Sequence, residues 1–444
     1  MTYTIRTLSA ALLVPLLWVM TPLRAEPDYA AAIRADYDAS LGNLFEHFHR
    51  NPELSFREFK TAARMAKELR AIPGIVVTEK VGQTGVVGVM KNGAGPVVLV
   101  RADMDGLPVE EKSGLSYAST ARQVDVDGKD SPVMHACGHD THITAMLATA
   151  KRLAAMKDRW AGTVLFVVQP AEEALAGAKA MINDGLYTRF PKPDYALALH
   201  VSANLPSGQV SASEAVQYSS SDSLKITVFG VATHGASPHM GKDPVYIASQ
   251  IVVALQGVIS REKSPLKAGV ITVGAFNAGN RPNIITDRAD LQVTVRANDE
   301  ATRAQLNAAV RRVADGIARA NGLPEALLPK VEVVGGTPTT INDAALAKRM
   351  NAAFARDLGA SAVTPFEQTG MGAEDFAYLV ASDTQIPGFY FAVGGTPAAA
   401  FEAAKNGGTA VSGHHSGLFK VEPKSAIVTG ATAMTVAVIE LLGK

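Results

Sequence analysis

Cysteine is almost missing from this chain. Its 444 residues hold one, Cys137, which excludes any disulfide framework within the chain. An excess of either charge is missing too. Lys+Arg and Asp+Glu both number 42, so there is no net field to hold nucleic acid or an anionic membrane. Internal repeats and low-complexity segments are lacking, which excludes solenoid and propeller architectures. What is present is a hydrophobic content of 47 % with 38 Gly and 23 Pro, the composition of a globular α/β protein. A chain of 444 residues exceeds one ordinary core, so two domains are expected.

The amino terminus is different in kind. Arg6 precedes an uncharged run from Leu8 to Met20, and Ala25 follows at a small-residue boundary. Residues 1–25 therefore read as a signal peptide, the apolar run being too short to span a bilayer comfortably. With no later run judged long and apolar enough to cross, the mature protein is expected to be soluble and exported, periplasmic or secreted.

Apolar periodicity predicts a helix from Asp28 to about Arg50, stopped at Asn51-Pro52, and another from Phe56 to Leu69. His47 and His49 near the first helix's end read as capping or packing histidines. Short apolar runs then read as buried strands: Pro96–Val100, Thr163–Val168, Tyr195–Leu199 and Gly388–Val393. The first three deliver an acid or histidine at their carboxyl ends: Asp103 and Asp105, Glu172 and Glu173, and His200. Ligands of open α/β sheets gather at such ends, so these segments are expected to converge. Thr141–Met156 reads as the helix following the single cysteine. From about Ser220 the rhythm becomes strand–helix–strand–strand–helix–strand, a ferredoxin-like α+β unit. The domains follow: a mixed-sheet α/β catalytic domain at 26–219 and 338–444, interrupted by a lid or dimerisation domain at 220–337.

Eight of the ten histidines fall at 135/139/142, 200, 234/239 and 414/415. A catalytic metal ion takes about three protein ligands and keeps a position open. Cys137, His139, Glu173, His200 and one of His414 or His415 supply five ligands, and a shared thiolate can serve two ions. Cys137, just before a helix, is expected to be favoured as thiolate by the dipole. Adjacent residues in a turn point apart, so of Glu172 and Glu173 one can bind metal while its neighbour stays free for general base work. Asp105 is placed to orient a ligand imidazole.

Arg101-Ala102-Asp103-Met104-Asp105, His135-Ala136-Cys137-Gly138-His139-Asp140, Pro170-Ala171-Glu172-Glu173, Ala198-Leu199-His200-Val201 and Ala373-Glu374-Asp375-Phe376 stand in the chain in that order. Together they resemble the aminoacylase, hippurate hydrolase and auxin-conjugate amidohydrolase family of two-metal enzymes, in its cysteine-bridged branch. The resemblance runs from about Arg50 to Ser416. It implies that Cys137 bridges two divalent ions (Zn, Mn, Co or Ni), with His139 and His200 completing one and Glu173 and His415 the other. His415 is chosen because the family ligand stands four residues before the phenylalanine matched by Phe419. The resemblance further implies Glu172 as base, and His234 as a lid histidine reaching a partner subunit's site. Asn283 and Arg296 resemble the pair that recognises substrate, Arg296 as a carboxylate clamp. The expected reaction is hydrolysis of N-acyl amino acids or related conjugates by a homodimer. The alternatives are an exported dipeptidase or aminopeptidase, and a non-catalytic binding protein. Ser416-Gly417 departs from the family's usual Ser-Pro.

Overall fold

Alternating apolar side chains pair seven strands into one mixed sheet in the computed structural model, which describes residues 28–380 and 384–444. The proposed signal segment lies outside the described residues. The strands of this larger sheet begin with β1 (Ile75–Val81), β2 (Gly85–Asn92), β3 (Val97–Asp103), β4 (Gly162–Gln169), β5 (Tyr195–Pro206) and β6 (Val210–Ser211). Four strands of a second sheet intervene: β7 (Ser220–Phe229), β8 (Gly269–Ala278), β9 (Arg288–Ala297) and β10 (Lys330–Thr337). Then β11 (Gly388–Thr396) returns to the first, whose order is β1-β2-β4-β3-β5-β11-β6. The central β4, β3, β5 and β11 run parallel, and β2 and β6 flank them antiparallel.

Central parallel strands are covered on both faces, so they read as unbroken apolar runs. Their side chains still alternate between two cores. Val98, Val100, Val164 and Phe166 face one core, while Leu99, Leu165 and Val167 face the other. On the first face pack α1 (residues 29–50), α2 (Phe59–Ala71) and α3 (His139–Ala155). In the second unit, α4 (Pro244–Gly257) and α5 (Glu300–Ala320) lie on a sheet ordered β8-β9-β7-β10, with a core of its own around Ile226, Ile251, Leu291 and Val310. That is the ferredoxin-like arrangement. Along β9, Leu291, Val293 and Val295 point to the helices, which turns Arg296 to the opposite face.

Later helices are α6 (Ala344–Asp357), α7 (Ala398–Lys405) and α8 (Pro423–Leu442). Helix α8 corrects one expectation. Its length and mean hydropathy of 1.8 suffice to cross a membrane, yet 78 % of that stretch is buried in the protein. Its alanines, valines and threonines pack against α3, which makes it a core helix. Other boundaries also move. Helix α2 begins at Phe59, because Phe56 holds a left-handed φ of 57°. Helix α3 begins at His139, two residues ahead of expectation, after Gly138 at φ 85°. Strand β5 does not stop before His200 but runs through it to Pro206. Its pairing with β3 ends at Ala198, so His200 projects where that neighbour has already stopped.

Candidate metal centre

Four loops meet at the carboxyl end of the parallel strands. Asp105 follows β3 and organises the turn after β4: its carboxylate accepts from the backbone N of Glu172 and of Glu173, each at 3.1 Å, and from Ser55 Oγ at 2.7 Å. The turn is tight, with Ala171 at φ 49° and Leu175 at φ 51°. His139 Nδ1 donates to the backbone carbonyl of Asp105 at 2.8 Å, its carboxylate standing at 3.3 Å. Asp105 thus orients the imidazole chiefly through its main chain, and its carboxylate aims the two glutamates.

With Nδ1 donating, His139 Nε2 carries a lone pair. That atom is buried and finds no hydrogen-bond partner among the described residues, and the same holds for Glu173 Oε1. The two stand 3.9 Å apart, with Glu172 Oε2 also 3.9 Å from Nε2. His200 Nδ1 lies 2.7 Å from the Val201 carbonyl and donates to it, leaving Nε2 to face Cys137 Sγ at 3.5 Å. His415 Nε2 lies 3.5 Å from Glu173 Oε2. The donor atoms of Cys137, His139 and His200 all fall within 4.8 Å of one another, as do those of Cys137, Glu173 and His415. Two three-donor groups therefore share one sulfur.

His414 stands close by, its Nδ1 3.8 Å from Cys137 Sγ. Its Nε2 accepts from Ala203 N at 3.2 Å, which leaves the proton on Nδ1 and no lone pair for an ion. His415 reaches the glutamate because its backbone is left-handed, at φ 63°, and its N donates to the Ala136 carbonyl at 2.8 Å. Gly417 explains the departure from Ser-Pro. A Cβ there would lie 2.4 Å from the Glu110 carbonyl, and Lys112 N donates to the Gly417 carbonyl at 2.6 Å. Only glycine lets residues 110–112 close on the loop that carries His415.

The electrostatics match a cationic occupant. Burial, then Glu173, Glu172 and Asp103, push the Cys137 thiol up. This reverses the expectation that the helix dipole favours the thiolate, because desolvation and three acids outweigh a partial charge. Burial, then Glu374 and Glu173, raise Glu172, and burial with Asp105 and Asp103 brings Glu173 up to about 7 despite His139. Burial works against charge on His139, yet Asp103 and Asp105 push it up to about 10. Burial, then His142 and His414, keep His200 neutral. Crowded acids that hold a proton on His139, a thiol, the neutral His200 imidazole and two unpartnered buried donor atoms fit divalent metal ions with mixed S, N and O ligands.

A cavity of about 880 Å³ opens over these groups, lined among others by Cys137, Glu172, Glu173, His200, His415 and Arg296. Arg296 is half-buried, and its Nε donates to Thr294 Oγ1 at 3.2 Å. No carboxylate pairs with it among the described residues, and burial alone lowers its pKa. His234 and Asn283 are elsewhere. They stand together on exposed short strands and turns of the second unit, where Gly235 N donates to the Asn283 carbonyl at 2.8 Å. Neither lines the cavity.

Sequence reasoning missed the supports behind the site. Arg101 is fully buried and donates to Asp103 and Glu374 at 2.7 Å, to Gln169 at 2.9 Å and to Asp375 at 3.2 Å. His142 bridges Asp103 at 2.5 Å and the backbone N of Val201 at 2.8 Å, so both its nitrogens are taken. His49 is not a helix cap. It lies buried between Asp140 at 2.6 Å and Glu111 at 3.1 Å, and these acids raise it to about 9 against the pull of burial. The signals available were the quoted motifs: Arg101 and Asp103 stand in one, Asp140 in another, and the acid-rich Ala373–Phe376 names two more of Arg101's partners.

Residues 99–407 match the family model described as Peptidase family M20/M25/M40. A hippurate hydrolase from Campylobacter jejuni is 41 % identical over 292 residues, covering 65 % of this chain and 72 % of that protein. An N-acetyl-L-cysteine deacetylase from Bacillus subtilis is 36 % identical over 354 residues, covering 80 % of each. Among solved structures, a dinuclear metal-binding peptidase of the M20 family from Bacillus subtilis superposes with a TM-score of 0.72 at 28 % identity, over 93 % of this chain and 99 % of that one.

Proposed function

From a chain that belongs to peptidase family M20/M25/M40, we propose the following assignment: a metal-dependent amidohydrolase that splits N-acyl amino acids or related conjugates into a carboxylic acid and an amino acid. The observation that carries it is the pair of three-donor groups sharing Cys137 Sγ, with Glu172 beside them. In this reading Cys137 is held in common, His139 and His200 complete one ion's ligands, and Glu173 and His415 the other's. Two divalent ions of the Zn, Mn, Co or Ni type would polarise the amide carbonyl and acidify the attacking water. Glu172 takes the water's proton, holds it on a carboxyl whose burial favours protonation, and delivers it to the leaving nitrogen. Arg296, a cation that no carboxylate pairs with among the described residues, holds the substrate's free carboxylate.

The test is an amine-release assay on a panel of N-acyl amino acids, with metal content measured on the same sample. Release that stops on chelation and returns with added metal is expected. Turnover of free dipeptides alone would move the assignment to a peptidase.

We further propose that residues 220–337 pair two copies and that His234 completes the partner's site, where it stabilises the tetrahedral oxyanion. Its exposure and distance from the chain's own cavity support this. Mixing Glu172→Gln with His234→Ala chains is then expected to regain about a quarter of wild-type activity, since half of randomly paired dimers are mixed and each has one intact site. No gain on mixing rejects the shared site. Export is proposed from residues 1–25 and is read by sequencing the mature amino terminus.

A further inference from the structure

One wall of the cavity takes no part in metal ligation or proton transfer. Helix α7 leads from the end of β11 towards the loop with His414 and His415, and its Phe401, Glu402 and Lys405 line the cavity. Its sequence, AAAFEAAK, has one large apolar side chain among alanines. Every residue of α7 is exposed or half-buried, so Phe401 is not there to fill a core. Eight residues are too few for a helix to hold itself in water, and Gly407 at φ 85° ends it abruptly. The aromatic ring is thus kept at the cavity by a short helix closed at its carboxyl end, where Gly407 N and Gly408 N donate to the Ala404 and Ala403 carbonyls, and without a side-chain cap at its amino end.

Two separate parts of the chain contribute to the cavity's lining. Arg296 marks one: the neighbouring Asn298 donates to Gln368 Oε1 at 2.7 Å, which ties residues 366–370 to the strand that carries the guanidinium. Helix α7 marks the other, packed along β5 beyond His200, where Leu205 and Pro206 also line the space. With its carboxylate on Arg296 and its amide beside Glu172, a substrate leaves its acyl group to the remaining lining, which includes Leu205, Pro206 and Phe401. An acetyl group would occupy little of about 880 Å³ and leave Phe401 uncovered, whereas a ring or longer chain covers it.

We propose that Phe401 on α7 is the specificity residue for the acyl group, selecting a bulky apolar acyl chain or ring over acetyl. This rests on the amidohydrolase reading above. The experiment compares kcat/KM for the N-acetyl, N-hexanoyl and N-benzoyl derivatives of one amino acid in the metal-loaded full chain. Wild type is expected to prefer benzoyl or hexanoyl over acetyl by at least about tenfold. Phe401→Ala is expected to shrink that ratio by about tenfold, chiefly through KM, while Phe401→Leu keeps most of it. A ratio unchanged in Phe401→Ala, or a wild-type preference for acetyl, overturns the proposal. If no derivative is turned over, the amidohydrolase reading fails instead, and calorimetric binding of the same compounds decides. Tighter binding of the benzoyl compound that depends on Phe401 upholds the wall; equal binding in wild type and Phe401→Ala overturns it.

Discussion

Glu172→Gln lowers kcat by about 10²–10⁴-fold with metal content unchanged, if the carboxylate is the general base. Glutamine keeps the shape and loses the basicity. The backbone that aims the side chain is unaffected, because the bond from Glu172 N to Asp105 and the tight turn between Ala171 and Leu175 are main-chain features. Burial and the neighbouring acids Glu374 and Glu173 raise the proton affinity of Glu172, which suits a group that must take a proton and keep it for one step. A variant that binds its full metal complement and still turns over within tenfold of wild type would move the base elsewhere. Glu374 would be the next candidate, since it lines the same cavity and a carboxylate oxygen of it lies within 4.8 Å of one of Glu172. Glu172→Asp separates position from basicity: it keeps a base but withdraws it by one methylene, and a loss smaller than that of Gln is expected.

The second large effect is on stability. Arg101→Met is expected to cost about 3–5 kcal/mol, read as a drop in the urea midpoint at constant slope. Methionine fills much of the volume, so the loss is electrostatic. It leaves Asp103, Glu374 and Asp375 buried without the guanidinium that bonds all three. Burial already raises Asp375 to about 8 although Arg101 pulls it down, and Glu374 adds to the rise. An acid whose folded pKa lies above its unfolded value binds more protons when folded, so stability falls as pH rises between the two. Without Arg101 the folded pKa climbs further, and the variant's deficit is expected to be larger at pH 8 than at pH 5. A deficit below about 1 kcal/mol at both pH values would mean that the three acids already share enough protons to need no cation. Arg101→Lys is expected to recover only part, since one ammonium cannot reproduce a planar fork touching four side chains.

The residues that the structure gathers at the candidate site were legible in the sequence because most of them sit on features that leave a local mark. Asp103, Asp105, Glu172 and Glu173 stand where apolar runs stop, His200 follows a run that in fact continues as strand, and Cys137 and His139 lie two residues apart where a helix begins. Choosing His415 over His414 depended on spacing to Phe419, and the geometry gives the separate reason that His414 Nε2 is occupied by a backbone amide. What stayed hidden was the layer behind these donors. Nothing in a strand reading Val98-Leu99-Val100-Arg101 says that the arginine meets acids more than 270 positions away. His49 sat in an amphipathic helix and looked like a helix-end histidine, since its partners Glu111 and Asp140 belong to other segments. The edge strands β1 and β2 were missed, β1 being half polar at Thr78-Glu79-Lys80. Short α7 carries too little pattern to announce itself, although it shapes the cavity.

The close approach of Gly417 to Glu110 has a bearing on how this protein can drift. Any side chain at 417 meets a main-chain oxygen, which cannot rotate aside as a flexible side chain would. Residues 110–112 include Glu111, which grips His49 and through it Asp140 in the first turn of the helix bearing His139. A saturation library at 417, selected for growth on the substrate, would therefore return glycine codons and little else. A residue that has no side chain to bind or react, two positions from His415, would then behave, under selection, like part of the active site.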